Sequence, residues 1–533
     1  MLAKIHIENF RAFRKFDLDF RDGLNIIVGD NDIGKTTLLE AINLALTLRF
    51  RGRPFAYELS PHLINQDAKN AYVAALAAGE QAVPPPEILI ELFLEDRDEF
   101  ADLKGENNHL KENVPGLRVR AAFNLNYSAE YKKFIEGDGP VTLVPTEYFD
   151  TEWITFGGNS IVRRSVPVNA SLIDASALRL HAGADYYLQK TIDEQLEAGD
   201  RVELSRVYRS LREAFSEDPA IAAINEKLGE TQKEVTNKNL SLSIDVSQGA
   251  SWESSLVPHL DNLPLQFIGG GGQSMLKILL ALYKSLDKTH VVLIEEPENH
   301  QSPASLNVLV EKIRERCKGR QVFLSTHSSF VINKLGLDNL ALLGDNAKPF
   351  RLTNLDPSTL AYFKKLPGYD TLRVVLAKRV ILVEGPSDEL VIQRAYKDAH
   401  GKLPIEEGVD VISVRGLSAT RFLEIAKPLG KRVQVVLDND GKTVAEVEER
   451  YAPYKQIEEI SLHVSDPDQG PTLEPQLLAA NGLDALNEIF EKNYETEEAL
   501  ASYMKDNKTT CALQILEAKK KITMPSYIEA AVA

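Results

Sequence analysis

Acidic side chains follow two apolar runs in the last third of the sequence. Glu384 comes directly after the run 380–383, and Asp438 and Asp440 come after the run 433–437. Alternate residues of an extended chain point the same way, so Asp438 and Asp440 can face one ion. Carboxylate oxygens suit Mg²⁺ or Mn²⁺ rather than zinc. The spacing predicts a divalent-metal centre, with Glu474 as a candidate further ligand.

Each of these patterns is weak alone, because Asp-x-Asp pairs are common on protein surfaces. Their occurrence at successive strand ends of one α/β unit is much stronger. Asp388 adds a further acid, since it would open the helix that follows Glu384.

A glycine-rich segment near the N-terminus matches the phosphate-loop pattern G-x-x-x-x-G-K-[ST]. It reads Gly29-Asp30-Asn31-Asp32-Ile33-Gly34-Lys35-Thr36, between a short apolar run and a segment with helical spacing. Backbone N–H groups of such a loop wrap phosphates, the lysine reaches the β- and γ-phosphates, and the hydroxyl holds Mg²⁺. The segment predicts an ATP site that includes Gly29, Asn31, Gly34, Lys35, Thr36 and Thr37.

Two later strand ends carry groups that a nucleotide site needs. Glu295 and Glu296 end the apolar run 291–294. One carboxylate there can hold Mg²⁺ through water, and the other can polarise the attacking water. His327 follows the next predicted strand, where it could sense a γ-phosphate. The plainer interpretations are a solvated strand end and a structural histidine.

The elements that must carry these residues alternate between strands and helices. Apolar alternation over 5–20 predicts paired strands, and 36–46 has helical spacing. Residues 87–165 predict further strands. Residues 180–235 are rich in Glu, Lys, Arg, Leu and Ala, which predicts a helical insertion. From 378, strands again alternate with helices, as in a second parallel sheet.

Length and composition exclude several classes of protein. The chain has 533 residues, which predicts two or more domains. Lys and Arg number 61 and Asp and Glu 78, for a net charge of −17. This net charge excludes nucleic-acid binding through the overall charge of the protein, but it does not exclude binding in a local basic groove. Two cysteines exclude a disulfide framework or a four-thiolate zinc site.

The sequence also predicts a cytoplasmic location. The N-terminus carries charges where a signal peptide would be apolar. An apolar run of about 18 residues, long enough for a membrane span, does not occur in the sequence.

The order of the nucleotide motifs resembles the ABC-type ATPase heads of the RecF/SMC group. A glycine run, Gly269-Gly270-Gly271-Gly272-Gln273, precedes a predicted helix at 275–286. In that group the signature usually reads Leu-Ser-Gly-Gly-Gln, and here Gly270 stands in place of the serine. Gly271 and Gly272 could bind the γ-phosphate of a nucleotide held by a second subunit. A flexible turn is the plainer interpretation.

The acidic strand ends resemble the Toprim domain of topoisomerases, primases and OLD-family nucleases. The resemblance implies that Glu384 serves as acid/base or ligand and that Asp438 and Asp440 are ligands. Two ions could then stabilise the attacking and leaving oxygens of a phosphodiester. Nucleases of the family also carry a late lysine, and Lys508 looks like that residue. It could neutralise charge developing on the phosphate, although an exposed lysine at a helix start is the alternative.

An ABC-type ATPase followed by Toprim is similar to the architecture of OLD-family ATP-dependent endonucleases. The expected fold is therefore α/β, with a RecF/SMC-like ATPase domain, a helical insertion and a Toprim α/β domain. The predicted ranges are 1–175 and 239–350 for the two parts of the ATPase, 176–238 for the insertion, 351–377 for a connector and 378–533 for Toprim.

The resemblance also implies partners. ABC-type heads close nucleotide between two subunits, so a homodimer or higher oligomer, such as a tetramer, is expected. The insertion could pair the subunits or simply pack on its own domain. Size and motif style are similar to those of nuclease subunits of the Gabija anti-phage system, a branch of the family. That likeness would imply a UvrD-like helicase partner and restraint of cleavage by nucleotide.

The predicted function is ATP-regulated, Mg²⁺- or Mn²⁺-dependent cleavage or nicking of DNA, in anti-phage defence or DNA processing. The alternative is a RecF/SMC-like ATPase that binds DNA without cutting it. Other Toprim chemistry is a third possibility. A primase would be expected to bring a zinc module that two cysteines cannot form, whereas 17 tyrosines leave a topoisomerase nucleophile open.

Overall fold

The alternating residues at the N-terminus form part of an antiparallel sheet. Strand β1 (Leu2–Phe10) pairs with β2 (Phe13–Asp19) on one side and with β6 (Ile88–Leu94) on the other. Strand β8 (Val114–Phe123) pairs with β6. Apolar residues such as Ile7 are fully buried, because successive side chains of a strand face opposite sides of the sheet.

A parallel sheet carries the nucleotide motifs. Its strands lie in the order β10 (Ala170–Asp174), β15 (Val291–Glu295), β16 (Gln321–Ser325) and β3 (Leu24–Val28), with parallel neighbours throughout. Helix α1 (Lys35–Thr47) follows the phosphate loop. The carboxyl ends of parallel strands share one edge of a sheet, which is where such folds place ligands.

The segment predicted as a helical insertion begins with strands. Residues 180–181 and 184–185 pair as a two-stranded antiparallel sheet, and helices occupy 198–217 and 219–232. Val202, Leu211 and other apolar side chains of the first helix are exposed. Leu188 and Ile192, two apolar residues of the predicted helical insertion, lie outside the described residues.

The strands predicted at 87–165 are confirmed. Further strands and helices are described in the first unit of the chain, up to residue 326. They are β4 (Arg49–Phe50), β5 (Arg53–Pro54), α2 (Phe55–Glu58), α3 (Gln66–Ala77), β7 (Lys104–Gly105), α4 (Ser128–Ile135), β9 (Phe149–Thr155), β11 (Leu180–His181), β12 (Ala184–Asp185), α5 (Ala198–Glu217), α6 (Pro219–Gln232), β13 (His259–Leu260), β14 (Leu263–Pro264), α7 (Gly270–Tyr283) and α8 (Pro303–Arg316).

The second parallel sheet has the predicted α/β form. Its order is β20 (Val409–Ser413), β19 (Arg379–Val383), β21 (Arg432–Leu437) and β22 (Ile460–Val464), all parallel. Helix α12 (Pro386–His400) follows β19 and contributes Val391, Ile392 and Tyr396 to the hydrophobic core of this part.

The region predicted as a connector contains two helices, at 357–365 and 371–376, and the last part of the chain, from 473, is mainly helical. The other helices and strands described after residue 326 are α9 (Ser329–Leu335), β17 (Leu340–Leu343), β18 (Pro349–Arg351), α10 (Pro357–Lys365), α11 (Thr371–Leu376), α13 (Thr420–Ala426), α14 (Val444–Glu449), α15 (Leu473–Asn481), α16 (Leu483–Phe490), α17 (Glu497–Asp506), α18 (Lys508–Glu517) and α19 (Ser526–Val532).

The chain divides into two compact units. The first comprises Met1–Ile27 and Gly34–Thr326, and the second comprises Val28–Ile33 and His327–Ala533. The computed structural model describes residues 1–79, 83–136, 141–161, 166–174, 180–181, 184–185, 196–232, 259–283, 290–316, 318–344, 349–352, 355–365, 371–414 and 419–533. Across these ranges, the helices are too short or too polar to cross a membrane.

Candidate metal and nucleotide sites

The strand ends of the second sheet bring Glu384 and Asp438 together. Glu384 follows β19 and Asp438 follows the neighbouring strand β21, and the backbone N–H of Asp438 donates to Glu384 Oε1 at 3.1 Å. Parallel pairing of Leu382 with Val435 fixes this proximity. Asp388 lies in the first turn of α12, where its Oδ2 accepts a hydrogen bond from the backbone N–H of Gly385 at 3.0 Å.

A buried asparagine positions the two aspartates. Asn439 Nδ2 donates to Ser465 Oγ at 2.9 Å and to the carbonyl of Gly470 at 2.7 Å, and its Oδ1 accepts from the backbone N–H of Gly441. Asp440, next in the chain, has a positive φ of 52° and donates its N–H to the carbonyl of Pro471. These bonds fix the chain on both sides of Asn439.

Glu474 and Lys508 form an ion pair beside these acids. Glu474 opens α15 and is buried, and its Oε1 lies 2.9 Å from Lys508 Nζ at the start of α18. Its Oε2 accepts from Thr472 Oγ1 at 2.7 Å. Both carboxylate oxygens therefore have a donor, which holds the side chain in one orientation.

Burial and mutual repulsion raise the pKa values of the acids. Burial is the larger cause and the charges of the neighbouring acids add to it, and together they raise the pKa of Asp438 to about 8. Burial, with a smaller contribution from Glu474, raises the pKa of Asp388 to about 6. The pKa of Glu384 is also raised, chiefly by burial. Burial alone would lower the pKa of Lys508, but its ion pair with Glu474 raises it.

The acidic cluster, Glu384, Asp388, Asp438, Asp440 and Glu474, fits a hard divalent cation. Asp438 Oδ1 is buried, and the described residues offer it no hydrogen-bond donor. Such an oxygen is costly without a cation or a proton. Three oxygens of the cluster do not converge within 4.8 Å of one another in the described chain. An ion would therefore have to draw the side chains inward against their repulsion.

Sequence reasoning missed two residues that lie close to the acidic cluster. Tyr527 of α19 is buried, and burial together with the charge of Asp438 and its neighbours raises its pKa far above the usual range. Its hydroxyl also has no hydrogen-bond partner among the described residues. Arg450 lies near enough to Glu384 for its charge to lower the pKa of that carboxyl. A lone tyrosine or arginine carries no motif that would have marked it.

The residues proposed to hold nucleotide Mg²⁺ meet in the first unit. Thr36, at the start of α1, donates from its Oγ1 to Glu295 Oε1 at the end of β15. Lys35 is buried. Gly34 caps α1 with a φ of 107°, and a Cβ there would lie 2.7 Å from the ring of Phe13. Thr37 is buried in the first turn of α1.

The other nucleotide candidates differ in their surroundings. Glu296 has a positive φ of 42°, and its Oε2 accepts from Asn299 Nδ2 at 2.8 Å. Gly29 lies in the second unit, where a Cβ would approach the carbonyl of Leu343 to 2.8 Å. Asn31 lies in an exposed turn of the same segment, and His327 is the first residue of the second unit after β16. Their contacts with nucleotide stay predictions.

The glycine run forms the first turn of a helix instead of preceding it. Helix α7 begins at Gly270, five residues before the predicted start. A Cβ at Gly271 would lie 2.4 Å from the carbonyl oxygen of His300, whereas Gly272 has more room. Gln301 Nε2 also donates to the Gly271 carbonyl at 2.8 Å. Gly271 is thus required by close backbone packing, whatever it binds.

Basic side chains near the second sheet and in the tail, which could form a local basic groove for phosphates, are partly engaged within the chain. Arg421 donates to Ser358 Oγ at 2.6 Å, Lys431 donates to the carbonyl of Ala377 at 2.7 Å, and Lys520 pairs with Glu488. Lys427 and Arg432 are exposed. Arg415 lies outside the described residues.

Three family models match the chain in the predicted order. A model of an AAA domain matches residues 4–81, and a model of an AAA ATPase domain matches 180–332. The model described as Overcoming lysogenization defect protein-like, TOPRIM domain, matches 375–440. This last range contains Glu384, Asp388, Asp438 and Asp440.

Known proteins match the chain to different extents. Endonuclease GajA of Bacillus cereus (strain VD045) is 22% identical over 459 residues, which cover 83% of this chain and 75% of GajA. DNA replication and repair protein RecF of Lactococcus lactis subsp. cremoris (strain MG1363) is 35% identical over 137 residues, 26% of this chain and only 34% of RecF. The solved C-terminal region of the Burkholderia pseudomallei OLD protein is 21% identical, and the match covers 29% of this chain and 95% of that structure with a TM-score of 0.24.

The two domain types therefore occur in the expected order, and the match to GajA spans most of the chain. The matches show an AAA-type ATPase domain followed by an OLD-like Toprim domain, and they make the chain similar to OLD-family proteins.

Proposed function

We propose that this protein is a divalent-metal-dependent DNA endonuclease whose cleavage is controlled by ATP at the AAA-type domain. The observation that carries the proposal is the acidic cluster at the carboxyl edge of the Toprim sheet. Its members come from three different segments of the chain, and Asp438 Oδ1 is buried without a donor from the described residues. GajA, named an endonuclease, supports a DNA substrate.

The acids would bind Mg²⁺ or Mn²⁺ and place it beside a phosphodiester. Glu384, Asp388, Asp438, Asp440 and Glu474 are the proposed ligands and catalytic acids. Bound ions would supply charge stabilisation and a more acidic water. Asp388, with a pKa of about 6, can exchange a proton near neutral pH. Lys508 lies next to Glu474 and would offset negative charge developing on the phosphate.

The AAA-type domain would bind ATP through residues 29–37, with Thr36 and Glu295 holding its Mg²⁺. Glu296 would polarise the attacking water if hydrolysis occurs, and His327 would sense the γ-phosphate. Gly271 and Gly272 would act on nucleotide of a second subunit, so we propose a homodimer or larger assembly, such as a tetramer. Light-scattering masses with and without ATP test this, and a monomer in both conditions contradicts it.

A supercoiled-plasmid assay tests the nuclease proposal. We expect the parent protein to nick or linearise plasmid with Mg²⁺ or Mn²⁺ and to lose this activity in EDTA. Asp438→Asn keeps the size of the side chain and should abolish cleavage. Asp484→Asn, an exposed acid in α16, is the matched control and should cleave normally. Full cleavage by Asp438→Asn would place the chemistry elsewhere.

The segment similar to RecF supports a second candidate function, a DNA-binding ATPase that does not cut. It predicts ATP-dependent DNA binding that Asp438→Asn leaves intact, without cleavage by the parent protein under any metal condition. A role in anti-phage defence, with a UvrD-like helicase partner, remains a further proposal. Co-purification with the product of a neighbouring helicase gene would test it.

A further inference from the structure

A cluster of two histidines and three acids lies on the antiparallel sheet of the first unit, outside the proposed nucleotide and nuclease sites. His6 of β1 is paired across the sheet with Asp17 of β2 and with Glu91 of β6. His109, from the segment between β7 and β8, stacks on His6 with ring centroids 3.7 Å apart and an interplanar angle of 19°.

Three ligand atoms of this cluster converge. His6 Nδ1 lies 3.0 Å from Asp17 Oδ1, and His109 Nε2 lies 3.8 Å from the same oxygen. One ligand atom from each of the three residues lies within 4.8 Å of the others. Ligands at 2.0–2.2 Å around a tetrahedral zinc ion are separated by about 3.3 Å, so the observed spacing brackets that value.

The other nitrogen of each histidine is already occupied by a carboxylate. Glu91 Oε2 is 2.6 Å from His109 Nδ1 and also accepts the backbone N–H of His109 at 2.9 Å. Glu8 Oε1 is 3.2 Å from His6 Nε2. A carboxylate behind a histidine fixes the tautomer so that the opposite nitrogen is a free ligand, as in carboxylate–histidine–metal arrangements. The hydrogen bond between His6 Nδ1 and Asp17 Oδ1 requires a proton, which an ion would displace, so that both histidines would then present an unprotonated nitrogen to the ion.

We propose that His6, His109 and Asp17 bind a zinc ion, which fastens the segment around His109 to the antiparallel sheet. Two imidazoles and one carboxylate are a set that zinc and cobalt accept, whereas Mg²⁺ prefers oxygen ligands only. His6 is fully buried, His109 is 20% exposed and Asp17 is 41% exposed, so an ion can enter from the Asp17 side and keep one water ligand.

Two adjustments accompany binding. Lys4 Nζ lies 3.1 Å from Asp17 Oδ1 and competes for that oxygen, but its side chain is 25% exposed and can turn to solvent. The nearly parallel imidazole rings of His6 and His109 must also tilt. The lone pair of each ring lies in the plane of that ring, and one ion cannot lie in both planes while they are parallel. Because Lys4 competes with the ion for Asp17, Lys4→Met should strengthen ion binding instead of weakening it.

Cobalt titration tests the site. The full-length protein is freed of metal with a chelator and titrated with Co²⁺ in excess Mg²⁺, which is added to fill the metal site proposed at the acidic cluster. We expect one Co²⁺ per chain with the visible absorption of a four-coordinate ion, and bleaching by one equivalent of Zn²⁺. His109→Gln should lose the band, whereas His62→Gln, at an exposed histidine, should keep it.

Graded variants separate binding from folding. Asp17→Ala, at an exposed carboxylate, should lose the band even if His109→Gln proves unstable, and Glu91→Gln should weaken binding by roughly 10- to 100-fold. Zinc should raise the melting temperature of the parent protein but not of Asp17→Ala. A parent protein that gives no cobalt band, or an unchanged band in both His109→Gln and Asp17→Ala, overturns the proposal.

Discussion

At the scale of single residues, Asp438 should make metal binding depend on pH. Burial, followed by the charges of nearby acids, raises its pKa to about 8 in the folded protein. In the unfolded chain the pKa would be about 4. The folded protein thus holds a proton that the unfolded chain has lost. Without metal, the free energy of unfolding therefore falls as the pH rises from about 4 to about 8.

A divalent cation needs the ionised carboxylate, so its binding releases this proton below pH 8. We expect the affinity for Mg²⁺ to increase by up to about tenfold per pH unit between pH 6 and 8 and to level off above that. Calorimetry in buffers of different ionisation enthalpy measures both affinity and proton release. Asp438→Asn should flatten this profile, and equal affinities of the parent protein at pH 6 and pH 8 would argue against it.

Lys508 tests whether the ion pair serves chemistry or only stability. Its side chain is 47% exposed, whereas Glu474 is almost fully buried. We expect Lys508→Ala to slow plasmid cleavage by roughly 100-fold or more, as when a group that stabilises transition-state charge is removed. Lys508→Arg should recover part of the rate. If the lysine is purely structural, the melting temperature of Lys508→Ala will fall while the remaining folded protein cleaves at the parent rate.

At the scale of elements, Gly34 shows why the turn into α1 requires glycine. Its φ of 107° is strained for any other residue, and a Cβ would strike the ring of Phe13 at 2.7 Å. Gly23 is a matched control, because it also has positive φ but nothing within 4 Å of its Cβ position. We expect Gly23→Ala to destabilise by about 1–2 kcal/mol.

Gly34→Ala should cost about 1–3 kcal/mol more, the usual range for overpacking, and should abolish binding of a fluorescent ATP analogue. Chemical denaturation measures the first effect and fluorescence anisotropy the second. Equal destabilisation by the two substitutions would mean that Phe13 moves aside at no cost.

The sequence was most informative where a local pattern determines an element. Residues 36–46, predicted to be helical, lie within α1, and Glu384 and Asp438 follow neighbouring parallel strands, because apolar runs and their acidic ends are local signals. The paired strands at 180–181 and 184–185 and the helices at 357–365 and 371–376 were not predicted, since composition over a long window cannot detect elements of two to nine residues.

Long-range contacts were harder to predict. The pairing of Lys508 with Glu474 joins positions 34 residues apart, and the cluster of His6 with His109 depends on strand pairing that no short motif encodes. Tyr527 approaches the acids only because α19 packs into the hydrophobic core of the second unit. Such contacts follow from tertiary packing, which a single sequence does not specify.

At the scale of the whole molecule, Lys35 tests the proposed control of cleavage by nucleotide. We expect Lys35→Ala to lose ATP binding while it still cuts plasmid, so that its cleavage no longer responds to ATP. If nucleotide restrains the parent protein, the variant will cut in ATP as fast as the parent does without it. A Lys35→Ala protein that remains fully sensitive to ATP contradicts the assignment of the phosphate loop.

The most direct test of the central claim joins metal binding to cleavage. Electron paramagnetic resonance measures free Mn²⁺ during titration of the full chain with saturating plasmid, and nicking is measured in the same samples. We predict that Mn²⁺ occupancy and nicking rate rise together and that Asp438→Asn loses both. Nicking by Asp438→Asn at the parent rate, or nicking that does not follow Mn²⁺ occupancy, would contradict a nuclease centre built from the acidic cluster.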